Sequence, residues 1–239
     1  MGRGLLILLI LALAGTAKAG DRLVLSSEYY PPYNLRDEQG NPSGVYMDQM
    51  RIILHRTKTA YEAGVMPWAR AIAQAENEPM HCVFAAARTP EREKRFKWVS
   101  PIHTDRNVLV ARKGAGLDVK TIDAAKAYII GTQRNDYTEA LLHRLDFPRV
   151  DVSADFSNTL AKLLAGRIDM MPMSESALKL HGKDELEEVV TLSVQSLGLA
   201  CNRTVPDILI ARMQAVLDDL IADGTQRSIF ERYGLVIRD

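Results

Sequence analysis

The chain has 239 residues, with 30 Lys plus Arg against 30 Asp plus Glu and a formal net charge of zero. So even a balance gives no electrostatic case for nucleic acid or an anionic membrane surface as partner. The length suits one large domain or two small ones.

The first residues read as processing information rather than fold. Arg3 supplies a positive start, Leu5 to Ala14 is a continuous apolar run, and Ala17-Lys18-Ala19 offers small residues at a cleavage site. This is the pattern of a secretory signal peptide, residues 1–19, cut after Ala19 to release an exported protein. The run falls short of the roughly 20 residues that span a bilayer. No cysteine follows it, so a lipid anchor is not expected. Loss of Arg3 and Lys18 leaves a net charge of −2. No later run approaches a transmembrane length, and a soluble chain is expected.

In chain order, Arg22 to Ser26 reads as a strand, and Pro31-Pro32 forces the chain out of the sheet because neither residue can donate to a ladder. Asp37 to Gly44 is a polar turn. Tyr46, Met50, Ile53 and Leu54 then recur at helical spacing up to Arg56. Tyr61 to Val65 reads as a strand, and Pro67 opens a short helix from Trp68 to Ala75. Strands are predicted at Met80 to Ala86, Asn107 to Arg112 and Ala127 to Gly131. Asp136-Tyr-Thr-Glu139 has the form of a capping box, in which Asp136 accepts from the Glu139 amide. It opens a helix through Leu145. A helix bearing Phe156, Leu160 and Leu163 stops at Gly166, and a strand follows at Ile168 to Met173. Leu197 to Cys201 is the last strand. Pro206 opens a long helix closed by Gly224, and a final helix covers about Gln226 to Tyr233. Strands alternating with helices predict α/β architecture with mostly parallel sheets.

Catalytic chemistry leaves little trace. The five histidines, at positions 55, 81, 103, 143 and 181, show no metal-ligand spacing. There is no phosphate loop and no serine nucleophile elbow. No catalytic residue, metal ligand or cofactor is assigned. Glu187-Glu188 reads as a solvated surface. Cys82 and Cys201 fit either one disulfide or two buried thiols. What does stand out is an aromatic set, Tyr29, Tyr30, Tyr33 and Trp68, with Arg70, Arg88 and Arg92 at strand-to-helix junctions. Aromatic faces and a bidentate guanidinium suit a small anionic or zwitterionic ligand. The bland alternative is that these arginines pair with Glu91, Glu93 or solvent.

Several of these segments resemble one family in order along the chain. Tyr30-Pro-Pro-Tyr33, Gly40 to Gly44 and Asp48 are similar to the opening of the family 3 extracellular solute-binding proteins, receptors of bacterial ABC importers for polar amino acids. Arg88-Thr-Pro-Glu-Arg92 with Phe96 to Pro101, Gly166-Arg-Ile-Asp169, and Asp223-Gly-Thr225 with Phe230 to Tyr233 resemble its later motifs. The resemblance implies a type II periplasmic-binding-protein fold, two α/β lobes joined by hinge strands. Lobe 1 would take residues 21–104 plus 198–239, and lobe 2 residues 105–197. Ligand would sit in the cleft and drive closure.

Carried over position by position, the resemblance makes Arg92 the clamp for a ligand carboxylate, Tyr30 the stacking aromatic and Trp68 a contact to the ligand's side-chain end. Asn135 to Tyr137 would be the helix start whose amides help hold the carboxylate. Three polar positions depart from the family. Ser174 stands where an acid usually pairs with the ligand ammonium, with Glu175 beside it pointing the other way. Ser27 stands at a first-lobe acid, with Glu28 adjacent. Ala85 and Ala87 replace serines. An ordinary α-amino acid would lose partners there, so the expected ligand is a small carboxylate-bearing solute that is amino-acid-like or has an apolar or aromatic portion. The expected partner is an ABC permease or a membrane sensor, with the binding protein a monomer. The alternatives are a receptor for a membrane signalling protein, or a periplasmic dehydratase on the same fold using Glu175 or Asp136.

Overall fold

The computed structural model describes residues 22–182 and 184–237. The signal peptide expected at 1–19 lies outside them. The chain begins with β1 (Leu23–Ser27) and a two-stranded hairpin, β2 (Leu35–Arg36) and β3 (Pro42–Ser43). Then come α1 (Val45–Arg56), β4 (Tyr61–Val65), α2 (Trp68–Asn77), β5 (His81–Ala87) and the single turn α3 (Pro90–Glu93). The long strand β6 (Lys97–Arg112) leads to α4 (Ile122–Ala125), β7 (Ile130–Gln133), α5 (Tyr137–Arg144), β8 (Val150–Ser153) and α6 (Phe156–Leu164). Next are β9 (Met170–Ser174), the short α7 (Glu175–Ala177) and one π-helical turn, Leu178–Gly182. A second long strand, β10 (Leu186–Cys201), precedes α8 (Asp207–Ala222) and α9 (Thr225–Arg232).

One eight-stranded sheet runs through the molecule in the order β4-β1-β5-β10-β6-β9-β7-β8. Each end is parallel: β1 pairs with β4 and β5, and β7 with β8 and β9. The middle is antiparallel, where β10 meets β5 and β6, and β6 meets β9. The expectation of a mostly parallel sheet therefore holds for the two halves and fails at their junction. The fold is α/β, with two lobes joined by the strands β6 and β10.

Both joining strands are 16 residues long, three times the five residues read at Leu197 to Cys201. β6 begins to pair with β9 only at Asn107, and β10 reaches β5 only from Leu197 onward. From Thr104 to Arg106, opposite Ser196 to Val194, the sheet is thus two strands wide. A ribbon this narrow leaves both faces partly wet, so Thr104, Asp105, Arg106 and Gln195 are tolerated and no apolar alternation marks the strand. Glu187 and Glu188, read as surface, are exposed residues of β10.

Packing follows the apolar periodicities. In α2, Trp68, Ala71, Ile72 and Ala75 lie on one buried face against Val83, Ala86 and Trp98. α1 and α8 bury Met50, Ile53, Leu54, Met213 and Leu217 in the largest core cluster. A separate cluster under α4 and α5 joins Leu109, Ile130, Leu142, Phe147 and Met170. Cys82 and Cys201 face each other in the β5–β10 ladder and form a disulfide, which settles the choice that composition left open.

Candidate functional site

Beyond β1 the chain doubles back on itself. The Tyr30 amide donates to the Asn34 carbonyl and the Asn34 amide to the Tyr30 carbonyl, each at 2.9 Å. Gly44 caps α1 with φ 98° and ψ 178°, a conformation essentially reserved for glycine. A Cβ there would lie 2.5 Å from the Tyr33 carbonyl oxygen. This close approach stacks Tyr33 on Tyr46, with ring centroids 4.9 Å apart and planes 7° from parallel.

The turn faces the start of α5, the first turn of α6 and the end of β9 across a cavity of about 90 Å³. Glu28, Tyr30 and Tyr33 wall it from the β1 side. Asp105 and Asn107 come from β6, Gln133 and Asp136 from the β7–α5 connection, Phe156 from α6 and Ser174 from β9. Burial holds the hydroxyls of Tyr30, Tyr33, Tyr46 and Tyr137 protonated, well above the ordinary tyrosine range. Several bonds already cross the cavity mouth. The Ser174 amide donates to the Tyr30 hydroxyl (2.9 Å), and the Ser174 and Tyr33 hydroxyls lie 2.8 Å apart. Gln133 Nε2 donates to Glu28 Oε1 at 3.3 Å.

The carboxylates differ in how they are satisfied. Asp105 accepts from the Tyr33 hydroxyl (3.2 Å) and from Ser174 Oγ. Asp136 caps α5 by accepting from the amide and hydroxyl of Thr138, not from the Glu139 amide as the capping-box spacing suggested. Glu139 instead accepts from the Asn135 amide at 2.6 Å, and Asn135 takes a left-handed φ of 60°. Glu28 is pushed well above the usual carboxylate range, first by burial and then by the charges of Asp136 and Asp155. Among the described residues no three His, Cys, Asp or Glu side chains converge as a metal site would require.

The predicted site residues separate into three groups. Tyr30, Tyr137 and Ser174 line the cavity, as do Ala85 and Ala87. Trp68, Arg92 and Asn135 come together beside it. The Trp68 indole donates to the Asn135 carbonyl (2.9 Å), Arg92 Nη2 donates to the same oxygen (2.8 Å), and the guanidinium lies over the Trp68 ring at 5.5 Å. Trp68 is 2% exposed and packs in the core under α2 instead of reaching the cavity. Arg92 is 5% exposed and borders an adjacent cleft that shares Asp136, Tyr137 and Gln195 with the cavity as a common wall. The remaining two arginines lie away from both. Arg88 is exposed and holds Glu93 through two bonds of 2.8 and 2.6 Å, the pairing foreseen as the bland alternative. Arg70 is exposed on the outer face of α2.

Glu175 turns out of the cavity and meets Arg106 (3.0 Å) and Lys179; it does so as the first residue of α7, because the strand whose alternation was to turn it away ends at Ser174. Ser27 is committed to structure, donating to the Phe84 carbonyl (3.0 Å) and accepting from Asn34 Nδ2 (2.8 Å). Sequence reasoning missed Glu28, Asp105, Gln133 and Phe156 as cavity residues. The available signal was Glu28 itself, an acid one position beyond the place where an acid was sought.

The sequence profile of the bacterial extracellular solute-binding proteins, family 3, matches residues 23–236. No curated protein matches the chain. Many solved structures share the fold. An ancestral arginine-binding protein bound to arginine superposes with a TM-score of 0.79 at 21% identity, covering 89% of this chain and 98% of that one. Holo ArgBP from T. maritima gives 0.76 at 20%, with 90% and 96% covered. A histidine kinase sensor domain with similarity to periplasmic binding proteins gives 0.80 at 17%, with 91% and 98% covered.

Proposed function

The chain belongs to the bacterial extracellular solute-binding proteins of family 3, and from that premise we propose that it captures a small, amino-acid-like, carboxylate-bearing solute in the periplasm and delivers it to an ABC permease. The observation that carries this reading is the cavity walled from both halves of the sheet, by Glu28 and Tyr30 on one side and Gln133, Tyr137 and Phe156 on the other. Solute touching both walls binds the closed arrangement better than the open one, and that difference drives closure. The lobes are residues 21–104 plus 198–239 and 105–197, moving about the two-stranded neck at Thr104 to Arg106. The solute carboxylate takes the Arg92 fork in place of the Asn135 carbonyl, which opens the wall between cavity and cleft.

Binding is favoured over turnover because both acids considered for catalysis are engaged elsewhere, Glu175 with Arg106 and Lys179, and Asp136 as the α5 cap. The kinase sensor domain among the similar structures supports a second reading, presentation of the closed form to a membrane signalling protein. A thermal-shift screen with amino acids and small carboxylates tests the binding reading, since a solute that binds only the folded state raises Tm by mass action. At least one such solute is expected to raise Tm at millimolar concentration. A flat response across the whole panel would refute the reading.

A further inference from the structure

The cavity is one-sided in charge. Glu28, Asp105 and Asp136 line it, and among the described residues no Lys, Arg or His side chain does. Two of the three carboxylates have their donors within the protein, Asp105 from Tyr33 and Ser174, Asp136 from Thr138. Glu28 does not: its Oε1 has Gln133, and its Oε2 is buried without a partner. Arg36 borders Glu28 from the outer surface, but its guanidinium is turned to the Val65 carbonyl at 3.3 Å.

Three further buried acceptors of the cavity point the same way. Asn34 Oδ1, Asn107 Oδ1 and Gln133 Oε1 all belong to cavity residues and all lack a partner. The orientation of two of these amides is fixed by their own donors. Asn34 Nδ2 is given to Ser27 and Gln133 Nε2 to Glu28, so the oxygens must be the groups left over. Buried acceptors without donors are rare and costly, and four in one cavity demand a common explanation. A second carboxylate brought here would meet like charge and these four acceptors, with the unpartnered Tyr46 hydroxyl as a single neutral donor to set against them. A group carrying several N–H donors and a positive charge would satisfy all of them, with the Tyr30 and Phe156 rings, in edge contact at 4.4 Å, as its aromatic wall.

We propose that this cavity seats the cationic end of the solute, an ammonium or guanidinium rich in N–H donors, and that Glu28 is its counter-ion. The proposal rests on the solute-binding reading and adds to it which charge goes where. The role of the acids whose places Ser174 and Ser27 hold falls to Glu28, because Ser27 is tied to β5 through the Phe84 carbonyl and Ser174 to β6 through Asp105. Arg92, behind the Asp136–Tyr137 wall, is left for the opposite end of the solute.

The test is calorimetric titration of the wild type and of Glu28→Gln with four probes: L-arginine, agmatine, tetramethylammonium and glutarate. Agmatine keeps the guanidinium without the carboxylate, tetramethylammonium keeps the charge without N–H donors, and glutarate reverses the charge. L-Arginine and agmatine are expected to bind, and Glu28→Gln to weaken each about 10- to 100-fold, the range of a charge-assisted hydrogen bond. Tetramethylammonium is expected to bind at least about tenfold more weakly than agmatine. Asn107→Leu, which removes one orphan acceptor and leaves Glu28 in place, is expected to cost about three- to tenfold. Equal affinities in wild type and Glu28→Gln would overturn the assignment of Glu28. Tetramethylammonium binding as tightly as agmatine would overturn the N–H requirement. If all three cations are silent while glutarate, or a neutral solute in the wider screen, binds, the cation seat is wrong and the binding reading survives. Silence in titration and screen together overturns both.

Discussion

Replacing Arg92 by methionine separates two roles that meet at one side chain. Methionine keeps an apolar stem against Trp68 and removes the guanidinium that donates 2.8 Å to the Asn135 carbonyl and 3.4 Å to the Ala87 carbonyl. The Asn135 bond joins the α2–α3 side of the molecule to the α5 side, so it stabilises the closed arrangement in the absence of solute. A hydrogen bond from a charged donor contributes about 1.5–3 kcal/mol. Against this, the guanidinium is buried among neutral acceptors, and burial is the first cause pulling its pKa down, so part of the gain offsets desolvation. A net loss of about 1–2 kcal/mol from the closed state follows, a factor of about 5–30 in the closed-to-open ratio. Small-angle scattering of solute-free protein should therefore show a larger radius of gyration for Arg92→Met, with Tm lower by about 2–8 °C at this chain length. In titrations, agmatine, which leaves the Asn135 bond in place, should lose the 5–30-fold due to opening, whereas L-arginine, whose carboxylate replaces that bond, should lose the buried charge pair instead, a larger factor. A wild-type radius and Tm combined with equal losses for the two ligands would refute both the bridging and the clamping role.

Glu28 should make solute-free stability depend on pH in a predictable direction. Its carboxyl titrates above the ordinary Glu range, so its favourable contribution is complete below that range and is lost as pH rises through the raised value. The difference in Tm between wild type and Glu28→Gln should turn against the wild type over that rise. Asp136 and Asp155 press on Glu28 with like charge and Gln133 is its donor, and all three are unchanged in the comparison. A pH-independent difference would contradict the prediction. Reduction of the Cys82–Cys201 disulfide opens a loop of 119 residues and should cost about 5 kcal/mol through chain entropy, read as a drop in denaturation midpoint with dithiothreitol. A midpoint unchanged by reductant would mean that the bond adds little to the ladder around it. Gly44→Ala should cost at least about 1–3 kcal/mol from backbone strain alone, and the Tyr33 carbonyl in its way should shift the tyrosine stack. Wild-type stability and near-ultraviolet dichroism in that variant would disprove the constraint.

The elements legible from sequence were those whose residues bury one face. Ala71, Ile72 and Ala75 in α2, and Met213, Leu217 and Leu220 in α8, repeat at helical spacing because each helix packs one side on the sheet. Pro31-Pro32 and Gly224 mark chain reversals through local backbone chemistry, and motif order along the chain identified the family. Those features depend on neighbours in sequence, so sequence alone determined them.

The joining strands and the cavity chemistry depend on neighbours in space. Thr104 to Arg106 and Val194 to Ser196 form strands only because each supplies the other's ladder, and a two-stranded ribbon imposes no apolar period to read. Whether Arg88 or Arg92 lies buried was decided by what stands opposite: Glu93 holds the first at the surface, and Trp68 with the Asn135 carbonyl draws the second inside. Glu28 and Ser27 are adjacent residues with opposite fates. Ser27 is the last position of β1 and bonds to Phe84 across the sheet, while Glu28 is the first residue past it and is turned towards Gln133, 105 positions away. The resemblance to the family implied that an acid was missing from its expected place. Only the tertiary structure placed another acid in the cavity, because burial and the choice of neighbours are properties of the assembled walls.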